Sequence, residues 1–154
     1  MFFTKKSVLS VLLALILVFS VAAPASATEA TSRASDYLMS YSAYVYPAGW
    51  GKVQVWISVN GTEPMDEIGS LMIQIFESKD QESWTWVETY NFEDNPGMLG
   101  YNDHYHSGHV EYSGTIGRYY KAYVCVWAGK NGDGDTRYFW TSPKKATLFA
   151  ASTN

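Results

Sequence analysis

Apolar and polar residues alternate with period two along much of the chain. In Lys52–Val59, KVQVWISV, residues Val53, Val55, Ile57 and Val59 share one parity; Lys52, Gln54, Trp56 and Ser58 share the other. β-Branched residues on one side and polar ones on the other predict a half-buried strand. Asn60-Gly61 predicts a turn that ends it. Leu71–Glu77 repeats the pattern, with Leu71, Ile73 and Ile75 facing one way and Met72, Gln74 and Phe76 the other. The polar stretch Ser78–Ser83 then predicts a turn, and Trp84–Tyr90 the return strand of a hairpin with Trp84 in the core. Tyr37–Tyr46 reads as an earlier strand closed by Pro47-Ala48-Gly49. Phe92–Asn102, which contains the turn Asp94-Asn95-Pro96-Gly97, reads as irregular, and Tyr105–Tyr112 as a weaker strand.

Thr115–Ala128, TIGRYYKAYVCVWA, admits two parities. Lys121 decides between them, because an unpaired lysine is costly to bury. Tyr120, Ala122, Val124 and Val126 are therefore assigned to the core, and Lys121, Tyr123, Cys125 and Trp127 to the outside. A Gly/Asp-rich turn at 129–135 leads to a last strand, Thr136–Ser142. The same reasoning puts Arg137, Phe139 and Thr141 outside and Tyr138 and Trp140 inside. Seven short strands, regular turn signals and no sustained helical period predict an all-β fold, an antiparallel β-sandwich.

The start of the chain differs. Lys5 and Lys6 precede the apolar run Val8–Ala23, and Ala25-Ser26-Ala27 follows it. A positive segment, a short apolar run and a small-x-small site are the parts of a secretory signal peptide. The expected organisation is a signal peptide over 1–27, a polar lead-in over 28–35, the β-domain over 36–148 and a tail over 149–154, with the product secreted.

Removal of residues 1–27 takes two of the eleven basic residues and none of the fifteen acidic ones. The remaining excess of negative charge argues against nucleic acid or an anionic membrane as partner. A single cysteine excludes an internal disulfide and a multi-cysteine zinc site.

Gly117–Val126, GRYYKAYVCV, resembles the penultimate strand of fibronectin type III and immunoglobulin-like domains, with Tyr120 at the place of the corner tyrosine. The resemblance implies an immunoglobulin-like topology, without the paired cysteines. MDEIGSLMIQIFES (65–78) with Trp84, and GTIGRYYKAYVCVWAG (114–129), resemble a family of short secreted proteins of Gram-positive bacteria, a domain of unknown function. That resemblance implies secretion and a single domain, and brings no activity or catalytic residues.

The candidate ligand-binding residues are the outward aromatics Trp56, Phe76, Tyr123, Trp127 and Phe139. Flat rings on an exposed sheet face can stack on sugars or anchor a protein partner. In an immunoglobulin-like layout, Phe76, Tyr123, Trp127 and Phe139 share one sheet and Trp56 belongs to the other. His104, His106 and His109 form the rival site, a metal-binding cluster. Asn131, Asp133 and Asp135 alternate like calcium ligands, but the glycine and glutamate of such a loop are missing, which favours a hairpin turn. Cys125 has no histidine in its local sequence, and Asp66 and Glu67 are adjacent and would point to opposite faces of a strand. The resemblance to bacterial proteins makes chance the better reading of the sequon Asn60-Gly61-Thr62. The reading that follows is a non-catalytic binding module at the cell exterior, without cofactor, whose partner is a glycan or surface protein. The alternatives are a secreted metal-binding protein and a small hydrolase with an unrecognised site.

Overall fold

The structure, a computed structural model, describes residues 35–152; the segment expected to be a signal peptide, all of the expected lead-in except Ser35, and the last two residues of the tail lie outside them. The described chain is almost entirely β. The strands are β1 (Leu38–Gly49), β2 (Lys52–Ser78), β3 (Thr85–Asn91), β4 (Leu99–Ser113), β5 (Tyr119–Lys130), β6 (Asp133–Trp140) and β7 (Lys144–Lys145), with a 3-10 turn at Pro96–Met98. All pairings are antiparallel.

The main departure from expectation is β2. The two strands expected at 52–59 and 71–77 are one strand of 27 residues. Its first part pairs with β1 on one side and β4 on the other. Its last part pairs with β5 and β3. Asn60-Gly61 does not reverse the chain, because neither residue adopts the positive φ that a two-residue hairpin turn requires. Instead the register with β4 jumps between Asn60 and Met65, and the strand bends. Two real hairpin turns show the contrast. Trp50-Gly51 has φ of 54° and 78°, and Asn131-Gly132 has 55° and 81°. The first joins β1 to β2 and the second β5 to β6.

The bend curls the sheet around one core. Val53, Val55, Ile57 and Val59 from the first part of β2 meet Ile68, Ile73 and Ile75 from the last part, together with Tyr120, Ala122, Val124, Val126 and Ala128 of β5. Val45 of β1 and Val110 of β4 join it, with Leu38, Met65, Met98 and Ala146. Burying each such side chain contributes about 1.5–3 kcal/mol. Tyr41 of β1 reaches Phe139 of β6 at 5.1 Å between ring centroids. Leu71 is the extra residue of a bulge against β5, and is only half-buried. Residues 147–151 are tied to the first hairpin. Trp50 N–H donates to Leu148 O at 2.8 Å, Gly51 N–H to Thr147 O at 3.1 Å and Ala151 N–H to Pro47 O at 2.9 Å.

Lys121 assigns β5 correctly: Tyr120, Ala122, Val124 and Val126 are all fully buried. Arg137 misassigns β6. The register places Tyr138 opposite Cys125 and Trp140 opposite Tyr123, on the outer face. Phe139 and Thr141 are turned inward, Phe139 against the core. Because β6 is an edge strand, an inward arginine still reaches solvent. Its guanidinium donates to Thr136 O at 2.8 Å and lies 3.7 Å from Asp135. Cys125 has the expected parity but is only 2% exposed, because its cross-strand neighbours Met72 and Tyr138 flank it on the outer face.

Tyr120 fills the corner position. The Thr115 N–H donates to its hydroxyl at 2.8 Å, and the hydroxyl donates to the Glu77 carboxylate. A Cβ on Gly114 would lie 2.6 Å from that hydroxyl, so the corner closes over the ring only with glycine there. Burial first, and the Glu77 bond second, push the phenol up to about 12. Tyr120→Phe keeps the ring but strands the Thr115 N–H and Glu77, and should cost about 1–3 kcal/mol in a urea melt. Tyr119→Phe should stay within about 0.5 kcal/mol. Because the folded pKa is raised, the contribution of the Tyr120 hydroxyl is complete below pH 10 and is lost as pH rises through about 12. Tyr120→Phe should therefore flatten the alkaline fall in stability.

Candidate functional site

The outer face of the β3–β2–β5–β6 half carries an aromatic cluster. Pairing builds it in rows across the strands. Trp86 stands opposite Phe76, and Phe76 opposite Lys121. The next row runs from Gln74 to Tyr123 to Trp140, and the next from Met72 to Cys125 to Tyr138. Period two within each strand brings these residues to one face.

The rings hold one another in place. Trp140 packs edge-on to Phe76 at 5.0 Å and lies 4.8 Å from Tyr123. Tyr123 stacks on Tyr138 at 5.8 Å. Lys121 Nζ sits 4.3 Å from the centroid of the Trp84 ring and 4.4 Å from that of Trp140. Each such cation–π contact is worth about 0.5–1 kcal/mol at an exposed site. The outer rings nevertheless remain open: Trp86 and Tyr138 are each 57% exposed and Trp140 49%.

The turn at 78–83 fixes the cluster's end. Asp80 accepts the N–H of Glu82 at 2.9 Å and of Ser83 at 3.0 Å, and the Ser78 hydroxyl at 3.0 Å. These bonds, that from Ser83 foremost, hold the Asp80 carboxyl below the usual carboxylate range. Trp84 Nε1–H donates to Gln81 O at 3.0 Å. Trp84 is thus a surface residue over Lys121, not the core residue the hairpin pattern suggests. Trp86 Nε1–H donates to Thr89 Oγ1 at 3.0 Å.

Of the five aromatics singled out by parity, Phe76 and Tyr123 lie in this cluster. Trp127 has the same parity farther along β5; its indole lies on Gly129 and Gly134, and its Nε1, though buried, has no hydrogen-bond partner. Trp56 lies on the other half of the sheet, stacked on His109 at 4.3 Å. Phe139 points inward and leaves the candidate set. The residues that sequence reasoning missed are Trp84, Trp86, Tyr138 and Trp140. Applying the parity of β5 across the Asn131-Gly132 turn, in place of the charge of Arg137, would have found the last two.

The histidines have separate placements. His106 Nε2 is 2.9 Å from Gly97 O, and His109 lies against Trp56. Among the described residues no three His, Cys, Asp or Glu side chains converge where they could hold a metal ion. Burial pushes the Cys125 thiol up, which weakens it as a nucleophile. Asp135 accepts the Ser35 hydroxyl and lies beside Arg137, tying the start of the domain to β6.

No family model matches the chain, and no curated protein matches it. Among solved structures it is similar to Spo0M, a sporulation control protein from Bacillus subtilis, at 11% identity over 66% of this chain with a TM-score of 0.36. The match spans 47% of that chain, about half its length.

Proposed function

We propose that the protein is a non-catalytic binding module of the cell exterior, and that the aromatic face around Lys121 is its recognition surface. The observation that carries this reading is the exposure of Tyr138 and Trp140 on rings already held by their neighbours, beside an exposed Trp86 tied to Thr89. Locked rings lose little conformational freedom on binding, so their apolar area is available to a ligand. The ligand is a glycan or a surface protein, either of which flat amphipathic rings can hold. The leader over 1–27 supports secretion. The scaffold is an immunoglobulin-like sandwich in which β2 serves both layers. The corner bond from Thr115 to Tyr120 supports that topology. The domain belongs with the short secreted Gram-positive proteins that its 65–78 and 114–129 segments resemble.

The test is a pull-down of the mature protein on insoluble polysaccharides and on cell-wall preparations. Retention by at least one of them is expected, with Trp86→Ala reducing it at least tenfold at unchanged melting temperature and Trp140→Ala reducing it as much in a protein that still unfolds cooperatively. Retention indifferent to both substitutions would remove this face as the site.

A further inference from the structure

A second constellation lies on the outer face of the β1–β2–β4 half. Two neighbouring rows cross the three strands there. Tyr44 stands opposite Trp56 and Trp56 opposite His109; Tyr46 stands opposite Gln54 and Gln54 opposite Glu111. Tyr44, Tyr46, Gln54 and Trp56 line a cleft of about 250 Å³. We propose that this cleft is a binding site for a neutral sugar ring, separate from the aromatic face around Lys121.

Its geometry is fixed before any ligand arrives. Trp56 Nε1–H donates to Gln54 Oε1 at 3.0 Å, Gln54 Nε2–H donates to Glu111 Oε2 at 3.0 Å, and Lys52 Nζ donates to Glu111 Oε1 at 2.6 Å. This chain of bonds holds the indole and the amide in one orientation. His109 stacks on the indole with 22° between the planes, on the β4 side, whereas every residue lining the cleft belongs to β1 or β2. The Tyr46 hydroxyl donates to Ala151 O at 2.7 Å, which fixes the cleft's far wall. Tyr44 is the exposed wall, 53% accessible.

The chemistry of the walls selects the ligand. Aromatic rings offer an apolar surface to the C–H face of a pyranose. Gln54 keeps one N–H and one oxygen lone pair after its bonds to Glu111 and Trp56 are made. A donor and an acceptor on one side chain match a pair of neighbouring sugar hydroxyls, which both give and take hydrogen bonds. The four lining side chains are uncharged, and Glu111, which accepts from Gln54, is paired with Lys52. The acidic balance of the whole chain further disfavours polyanions. The volume lies just below the range of drug-sized pockets, about 300–1,000 Å³, which suits one ring of an oligosaccharide.

The experiment is a heteronuclear NMR titration of the secreted protein with the neutral tetrasaccharides of glucose, N-acetylglucosamine, mannose and xylose, and with trigalacturonate as the charged control. At least one neutral tetrasaccharide should shift the Trp56 indole N–H and the Gln54 side-chain amide saturably. Tyr44→Ala should weaken that binding at least tenfold, as should Gln54→Leu, whereas Trp86→Ala should leave it unchanged. Tyr44 is exposed, so its substitution keeps the test valid even if Gln54→Leu fails to fold. The proposal is overturned if no tetrasaccharide moves these signals, if trigalacturonate binds as well, or if Trp86→Ala abolishes binding while Tyr44→Ala does not. Loss of binding at the Lys121 face alone would leave the cleft intact, so the two sites fail separately.

Discussion

Replacing Gly69 with alanine is expected to remove much of the protein's stability. Gly69 sits where β2 passes from one set of neighbours to the other, opposite Leu99 of β4 and Trp127 of β5. Its φ of 145° is one that L-residues rarely adopt. A Cβ built there would lie 2.2 Å from Met98 O and 3.0 Å from Leu99 Cα. Both are backbone atoms at the start of β4, so no side-chain rotation relieves the clash. Strain at the dihedral costs about 1–3 kcal/mol, and overpacking about as much again. Against a total stability of about 5–15 kcal/mol, that loss is large. Gly97→Ala is the matched control, since a Cβ there meets nothing within 4 Å and its φ is not positive. In urea, Gly69→Ala should shift the midpoint strongly and Gly97→Ala by little. Equal shifts would mean that the bend in β2 does not depend on Gly69.

The sequence pattern identifies strands well where a strand has neighbours on both sides. In β5 and in the first half of β2 the inner parity is unbroken, and every inner residue from Val53 to Val59 and from Tyr120 to Val126 is buried; in the last half of β2 Ile73 and Ile75 keep it and the bulge at Leu71 breaks it. Lys121 is informative because β5 lies between β2 and β6, so its inner face has no route to water. Arg137 misleads because β6 has no outer neighbour and its inner face is reached from the side. Charge is therefore a guide to parity only after a strand's place in the sheet is known. That place depends on contacts distant in sequence.

Asn60-Gly61 misleads for a related reason. The dipeptide permits a tight turn, but here β1 and β4 flank the approach to it and carry the strand onward. A Cβ on Gly61 would meet Met65 Cγ at 2.8 Å, so the glycine serves close packing at the bend. The strand count of seven agrees with expectation only through compensation: two expected strands fuse into β2, and the two-residue β7 is added. The candidate surface is legible in part. Phe76 and Tyr123 carry their parity in local sequence. Trp84 owes its half-buried surface position to the Asp80-tied turn and to Lys121 from another strand, neither of which period two can show.

Val124→Asp should be the most damaging single change in the sheet. Val124 is fully buried on β5, opposite Ile73 of β2 and Phe139 of β6. None of these neighbours offers a donor. An uncompensated carboxylate in such a place costs several kcal/mol, on the order of 4. The introduced acid would respond by raising its pKa in the folded state, since burial penalises its charged form. Its penalty is then full well above that raised value and shrinks as pH falls towards the unfolded value of about 3.9. Cys125→Ser is the adjacent comparison. Cys125 is also buried, yet its thiol lies by the Tyr138 hydroxyl, which a serine could still bond. Its loss should stay near 1 kcal/mol, in the ordinary range for point substitutions, and should not depend on pH between 4 and 7. Urea melts at pH 7 and pH 4.5 separate the two: the Val124→Asp deficit narrows at the lower pH and the Cys125→Ser deficit does not. A Val124→Asp protein as stable as Cys125→Ser at pH 7 would place position 124 on the solvent side of β5. Tyr123 and Lys121 would then turn inward, and the aromatic face would lose its centre.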